Sequence, residues 1–318
     1  MSMIEKTSAA FAQSPTHSPT QPGSEPRARF SPVHGVHPIT EVVGAEVTGV
    51  DLAQVTDEAF EDIQRAWLAH SALLFRDQVL SDADLVAFSR RFGTLDQAPM
   101  NENGRMTAAE FPEIYVVSNI KGPDGKPIGS LGAGEAVWHT DMSYLPVPPD
   151  ASLLYSKEVP PEGGDTWVVS MEAVLAALPT DLRAAIVGRS IKHDGTYNSA
   201  GYLREGLRAS DNPMDSVGTP HPIVCTHPET GRPTLYLGRR RNAYVIGLSV
   251  AESEILLDRL WAVIDQPELS FAHRWRVGDV LMWDNRSTMH RREPFDPESR
   301  RLMHRTQIGG KVAPQVGA

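Results

Sequence analysis

Cysteine is nearly absent from this chain: Cys225 is the only one in 318 residues. One thiol can form no intrachain disulfide and cannot build a structural thiolate zinc site, which suits a reducing cytoplasm. Long apolar runs are missing too. No stretch approaches the roughly 20 residues a membrane-spanning helix needs, and residues 1–26 lack the apolar centre of a secretory signal. Positive charge is in deficit, with 30 Lys and Arg against 40 Asp and Glu and a formal net charge of −10. That excludes the global positive field of a general nucleic-acid binder, although a local basic cluster can still bind a small anion. There is no Gly-x-Gly-x-x-Gly after a strand and no Gly-Lys-Ser/Thr phosphate loop, which removes the signals of nucleotide-binding α/β folds. The expected partner is a small molecule, with neither nucleic acid nor membrane.

What is present is enough apolar residue, 41% of the chain, for a sizeable core. Residues 1–30 are rich in Ser, Pro, Thr and Gln and read as a disordered leader. Residues 31–318 then read as a single domain. Thr56, Ser81 and Ser249 open helices, the last with Glu252 as a capping box. Two further helices are expected at 171–178 and 181–187. Short strands dominate elsewhere: 73–76, 114–117, 152–159, 165–169, 190–193, a hairpin at 223–226 and 234–237, Trp275, 280–283 and 302–308. Residues 96–135 are otherwise irregular, and a loop of that length reads as an active-site lid. The pattern predicts a mainly β fold, a sandwich or barrel with helices packed outside it.

One constellation carries chemistry. His139-Thr140-Asp141 has a spacing that, on a strand, puts the imidazole and the carboxylate on one face. His290, at the end of Trp283-Asp284-Asn285-Arg286-Ser287-Thr288-Met289-His290, would supply a third ligand from a remote segment. Two histidines and one carboxylate leave one face of an octahedral metal open, the arrangement of non-haem Fe(II) oxygenases. A hydrogen-bonded surface histidine is the plainer reading of His290. His227-Pro228-Glu229 is the rival carboxylate motif, but it sits at the hairpin tip and reads as a solvated turn. His193 beside Asp194 has the wrong period to share a ligand face on a strand and reads as structural. Arg301 and Arg305 fall on one face of the 302–308 strand. They are either a planar fork for carboxylates or two snorkelling surface arginines.

Taken together, His139-Thr140-Asp141, Gly163-Gly164-Asp165-Thr166, Trp283-Asp284-Asn285-Arg286 with His290, and Arg301-Leu302-Met303-His304-Arg305 resemble the taurine/phenoxyacetate dioxygenase family, TauD/TfdA. The likeness runs from about Val42 to Gly310. It implies a double-stranded β-helix, or jelly roll, and a reaction using Fe(II), 2-oxoglutarate and O2. In that reaction the cosubstrate leaves as succinate and CO2 while a substrate C–H bond is hydroxylated. Collapse of the product would break a C–O, C–N or C–S bond where the oxidised carbon carries such a substituent. Carried over by position, His139, Asp141 and His290 would hold iron. Arg301 would pair with the distal carboxylate of 2-oxoglutarate and Thr166 would hydrogen-bond it. Arg305 would bind an anionic group of the substrate, and Met142 matches a substrate-pocket position. Family analogy also implies a homo-oligomer.

Two departures bear on the substrate. Taurine enzymes of the family carry a histidine shortly after the segment matching Arg90-Arg91-Phe92-Gly93, and none follows here. Where they have an asparagine four residues before the iron histidine, this chain has Glu135. The Gly238-Arg239-Arg240-Arg241-Asn242 turn follows a strand where family members present pocket residues, and Arg240 is the residue expected to face the substrate. With Arg305 it favours an anionic substrate: a carboxylate, sulfonate, sulfate ester or aryloxy acid. The alternatives are a zinc-dependent hydrolase at the same triad or a non-catalytic ligand-binding protein. The first gives Arg301 and Thr166 no role; the second gives no chemical reason to keep the ligands.

Overall fold

Each long helix begins where the sequence supplies a cap. In the computed structural model, which describes residues 35–98, 108, 110–134, 136–210 and 212–317, α1 (Asp57–His70) starts at Thr56, whose hydroxyl accepts from Ala59 N. Ser81 with Asp84 forms a capping box for α2 (Asp82–Arg90). Ser170 caps α3 (Met171–Ala177), α4 (Thr180–Ile186) follows, and Ser249 with Glu252 boxes α5 (Val250–Ile264). These hydroxyls and carboxylates satisfy amide groups that the first turn of a helix leaves unpaired. The expected 1–30 leader, part of the 96–135 segment and Glu135 lie outside the described residues.

The rest is mostly strand. The first half of the chain gives β1 (Gly35–Pro38), β2 (Ala45–Thr48), β3 (Ala72–Phe75), β4 (Tyr115–Ser118), β5 (Ser130–Leu131), β6 (Ala136–His139) and β7 (Ala151–Glu158). Then come β8 (Thr166–Ser170), β9 (Ser190–Lys192), β10 (Pro220–Pro222), β11 (Val224–Thr226), β12 (Pro233–Leu235) and β13 (Tyr244–Val245). The last are β14 (Ser270–His273), β15 (Val280–Asp284), β16 (Thr288–Arg292), β17 (Leu302–Ile308) and β18 (Gln315–Val316). Eight strands form one sheet in the order β1-β2-β3-β15-β7-β17-β4-β5, and four form another in the order β14-β8-β16-β6. Two three-stranded sheets, β10-β9-β13 and β12-β11-β18, accompany them.

Three apolar layers follow from the alternation of side chains along these strands. Ala72, Leu74, Leu154, Leu281, Trp283 and Met303 of the large sheet share one buried cluster with Val168 and Phe271 of the four-stranded sheet. That cluster packs the two sheets face to face. The other side of the large sheet buries Leu73, Phe75, Leu153 and Met282 under Ile63 and Trp67 of α1 and Phe88 of α2. The other side of the four-stranded sheet buries Val169 and Met289 against Val174 of α3, Leu182 of α4 and Leu257 of α5. Helices therefore cover the outer faces. Among the described residues no helix is long and apolar enough to cross a membrane.

Candidate active site

β6 and β16 are neighbours in the four-stranded sheet, and His139 lies directly opposite His290 in their register. That pairing carries two imidazoles from distant parts of the chain to a ring-centroid separation of 4.1 Å. Asp141 arrives differently from the expected strand alternation. β6 ends at His139, residues 141–144 form a turn rather than continuing the strand, and Met142 takes a left-handed φ of 45°. The break comes where Thr140 N donates to Gly238 O. Gly238 has φ +69°, and a Cβ there would stand 2.5 Å from the His193 ring, so only glycine fits this approach. The turn folds the carboxylate back, with Asp141 Oδ1 3.7 Å from His139 Nε2 and Oδ2 3.9 Å from His290 Nε2. One candidate ligand atom from each of the three residues falls within 4.8 Å of the others, and all three residues are buried.

The surrounding groups set the protonation that metal binding requires. Val137 O lies 2.7 Å from His139 Nδ1 and can only accept, so the proton sits on Nδ1 and Nε2 presents its lone pair. Burial and the neighbouring His290 hold the His139 pKa well below the usual imidazole value. Burial lowers His290 to about 4, and the Trp283 ring at 4.4 Å packs against it. For Asp141, burial opposes ionisation, but Arg305, His290, His139 and the Ser152 hydroxyl together hold the carboxyl below its usual range. Ser152 Oγ donates to Asp141 Oδ2 at 2.8 Å, and Arg305 Nη1 donates to Oδ1 at 3.0 Å. Ser152 is itself held by Asn285 Nδ2 at 3.2 Å, whose Oδ1 accepts from Trp283 Nε1 at 3.0 Å.

Two cavities flank the triad. The first is lined by Thr166, Trp283, His290, Arg292, Arg301 and Arg305. Arg301 is 1% exposed, yet its Nε and Nη1 have no hydrogen-bond partner among the described residues. Burial, helped by nearby Arg292, pulls its pKa down to about 9. An unpaired buried guanidinium is costly, and a carboxylate in this cavity would offset that cost. Thr166 accepts from Trp275 Nε1 at 3.0 Å, which leaves its own O–H to donate. Its position depends on the Gly163-Gly164 turn, where a Cβ on Gly163 (φ +73°) would meet Pro294 O at 2.7 Å.

The second cavity shares Leu131, His139, Ser199 and Arg305 and adds Asp141, Met142, Tyr115, Arg204 and Arg239. Here the sequence expectation needs correcting. Arg240 points away and is held by Glu254 and Asp258 of α5, both through Nη2 at 2.6 Å. Arg239 lines the cavity instead, because its backbone bridges His139. Glu135 lies outside the described residues. The His227 turn is a second correction. His227 is buried and its Nε2 lies 3.0 Å from Asp284 Oδ2, while Glu229 pairs with Arg286, so this tip braces the segment leading to His290. Arg292 and Arg204 went unread in the sequence. Alternation from His290 along β16 points to Arg292; nothing local marks Arg204.

With this geometry in hand, the comparisons are specific. Residues 35–307 match the family described as taurine catabolism dioxygenase TauD, TfdA family. The (S)-phenoxypropionate/alpha-ketoglutarate-dioxygenase of Sphingobium herbicidovorans is 34% identical over 301 residues, covering 90% of this chain and 99% of that protein. The alpha-ketoglutarate-dependent 2,4-dichlorophenoxyacetate dioxygenase of Cupriavidus pinatubonensis is 34% identical over 279 residues, 85% of this chain and 95% of that one. Among solved structures, a taurine dioxygenase from Burkholderia xenovorans superposes with a TM-score of 0.69 at 31% identity, covering 88% of this chain and 92% of that one.

Proposed function

Because this chain belongs to the TauD/TfdA family and is an Fe(II)- and 2-oxoglutarate-dependent dioxygenase, we propose that it hydroxylates a small aryloxyalkanoic acid or a closely related anion. One observation carries the substrate class: Arg204, Arg239 and Arg305 line the cavity beside the triad, and each has a buried Nε without a hydrogen-bond partner among the described residues. Tyr115, Leu131 and Met142 give the same cavity apolar walls for an aryl or alkyl body. The names of the phenoxy-acid relatives support a carboxylate first; the taurine dioxygenase neighbour keeps a sulfonate second.

In this reading His139, Asp141 and His290 hold Fe(II). The residues fit it: two neutral imidazoles and one ionised carboxylate, with one ligand atom from each within reach of the others. Arg301 and Thr166 hold the distal carboxylate of 2-oxoglutarate in the first cavity. Fe(II) with O2 and 2-oxoglutarate supplies the oxidant, while the cosubstrate becomes succinate and CO2. The chain does the rest. Arg305 and Arg239 anchor the substrate anion, the apolar walls aim one C–H bond at the triad, and Ser152 keeps the Asp141 carboxylate oriented. Buried surroundings exclude water from the reacting bond. For an aryloxy acid, hydroxylation at the carbon bearing oxygen gives a hemiacetal that falls apart to a phenol and a carbonyl compound.

Around this site we propose that the described residues from 35 onward form one jelly-roll domain; the expected 1–30 leader and part of the expected 96–135 active-site loop lie outside the described residues. The two face-packed sheets support the domain reading. A homo-oligomer is supported by family analogy and by exposed Tyr202, Leu203, Met214 and Val217. A single cysteine supports a cytoplasmic setting.

The test is succinate release across phenoxyacetates, phenoxypropionates, alkyl sulfates and taurine, with product mass spectrometry. Anaerobic Fe(II) plus 2-oxoglutarate gives a visible metal-to-ligand charge-transfer band, and His139→Ala abolishes it. Absence of the band in folded wild type would overturn the reading. Equal turnover of an aryloxy acid and its amide would remove the anionic substrate from it.

A further inference from the structure

Arg292 has no part in the reaction as described, yet it is 6% exposed, lines the first cavity beside Arg301, and leaves its Nε without a partner among the described residues. Its Nη2 is engaged, donating to Leu131 O at 3.0 Å and also to Gly134 O. Three residues on, Phe295 N donates to Ala133 O at 3.2 Å. The carbonyls of Leu131, Ala133 and Gly134 are therefore all held by the segment that follows His290. Leu131 and Gly132 both take left-handed backbone, φ 72° and 45°. For a leucine that conformation is disfavoured and has to be imposed by its surroundings. Leu131 also lines both cavities.

Resting on the assignment of 2-oxoglutarate to the first cavity, we propose that Arg292 is a positioning residue that couples cosubstrate to substrate. Its free Nε faces the cosubstrate anion and its Nη2 clamps residues 131–134, so binding in the first cavity fixes the Leu131 wall of the second. Arg292 and Arg301 line the same cavity, and two like charges in it repel. A carboxylate entering between them relieves that repulsion and tightens the Arg292 clamp.

The experiment uses full-length enzyme with Fe(II) under anaerobic conditions. The charge-transfer band gives the 2-oxoglutarate Kd, and hydrogen exchange reads the amides of residues 130–134 with and without cosubstrate. Wild type is expected to gain protection there on adding 2-oxoglutarate. Arg292→Met is expected to lose that gain and to bind 2-oxoglutarate roughly tenfold more weakly, with substrate KM rising more than kcat falls. Arg292→Lys, which keeps charge but not the two-ended reach, is expected to recover affinity without the protection. Wild-type protection indifferent to 2-oxoglutarate would overturn the proposal, as would Arg292→Met retaining both affinity and protection. A wild type that shows no band at all fails the cosubstrate assignment itself, and this inference with it.

Discussion

At Asp141 a single hydroxyl does much of the orienting. Ser152 Oγ is the donor on Oδ2, and Asn285 and Gln307 both donate to Ser152 in turn. Groups of this kind around a metal ligand are worth about 10- to 100-fold in metal affinity. Ser152→Ala is expected to weaken Fe(II) binding within that range while leaving the 2-oxoglutarate band position unchanged, as read by anaerobic Fe(II) titration. Arginines divide by one position. Arg239→Ala should raise KM for an anionic substrate at least roughly tenfold, since it removes a charge-assisted contact, whereas Arg240→Ala should leave KM within about twofold and instead loosen the surface of α5. Steady-state kinetics on the two variants separates them. The sequence pointed to the middle arginine because a run of three offers no local clue to which one faces inward. That is decided by the bridge between His139 and Arg239, a long-range backbone contact.

At the scale of elements, what was legible followed from local rules. α1, α2 and α5 start at the residues their caps require, and the 223–237 hairpin appears as β11 with β12. Ser249→Ala should cost about 1 kcal/mol, the ordinary worth of a cap, visible as a lower urea midpoint with unchanged slope. Elements of two residues, β5, β13 and β18, are too short for any periodicity to mark them. A strand was expected at Trp275, but β14 ends at His273 and Trp275 turns inward to donate to Thr166. The triad's residue types were legible, and the reason given for their spacing was not. His139 and Asp141 meet across a turn, and that turn depends on Gly238, a hundred residues away. His227 looked like a solvated tip because its partner, Asp284, is equally remote.

Across the whole molecule, an acidic chain surrounds a basic interior: net charge is −10, while five arginines line the two cavities beside the triad. Such buried charge is screened little by salt compared with a surface patch. Buried neutral imidazoles set the acid limit of the fold. Burial pushes His193 down to about 3 from 6.5, with His221 adding to it; burial also lowers His221 and His273. Their folded pKa values lie below the unfolded one, so the unfolded chain takes up protons first as the pH drops. Stability is therefore fully present above about pH 6.5 and declines toward pH 3. Scanning calorimetry should show Tm falling steadily below pH 6.5, less steeply in His193→Gln.

The pairing of β6 with β16 has a consequence for assembly. The two imidazoles belong to strands nearly half the chain apart that meet only through one register. Strand pairing at such sequence separation is intrinsically slow. With β6 and β16 unpaired the chain brings at most His139 and Asp141 together, so full metal affinity is expected only once this register has formed, as an anaerobic Fe(II) titration of refolding intermediates would read.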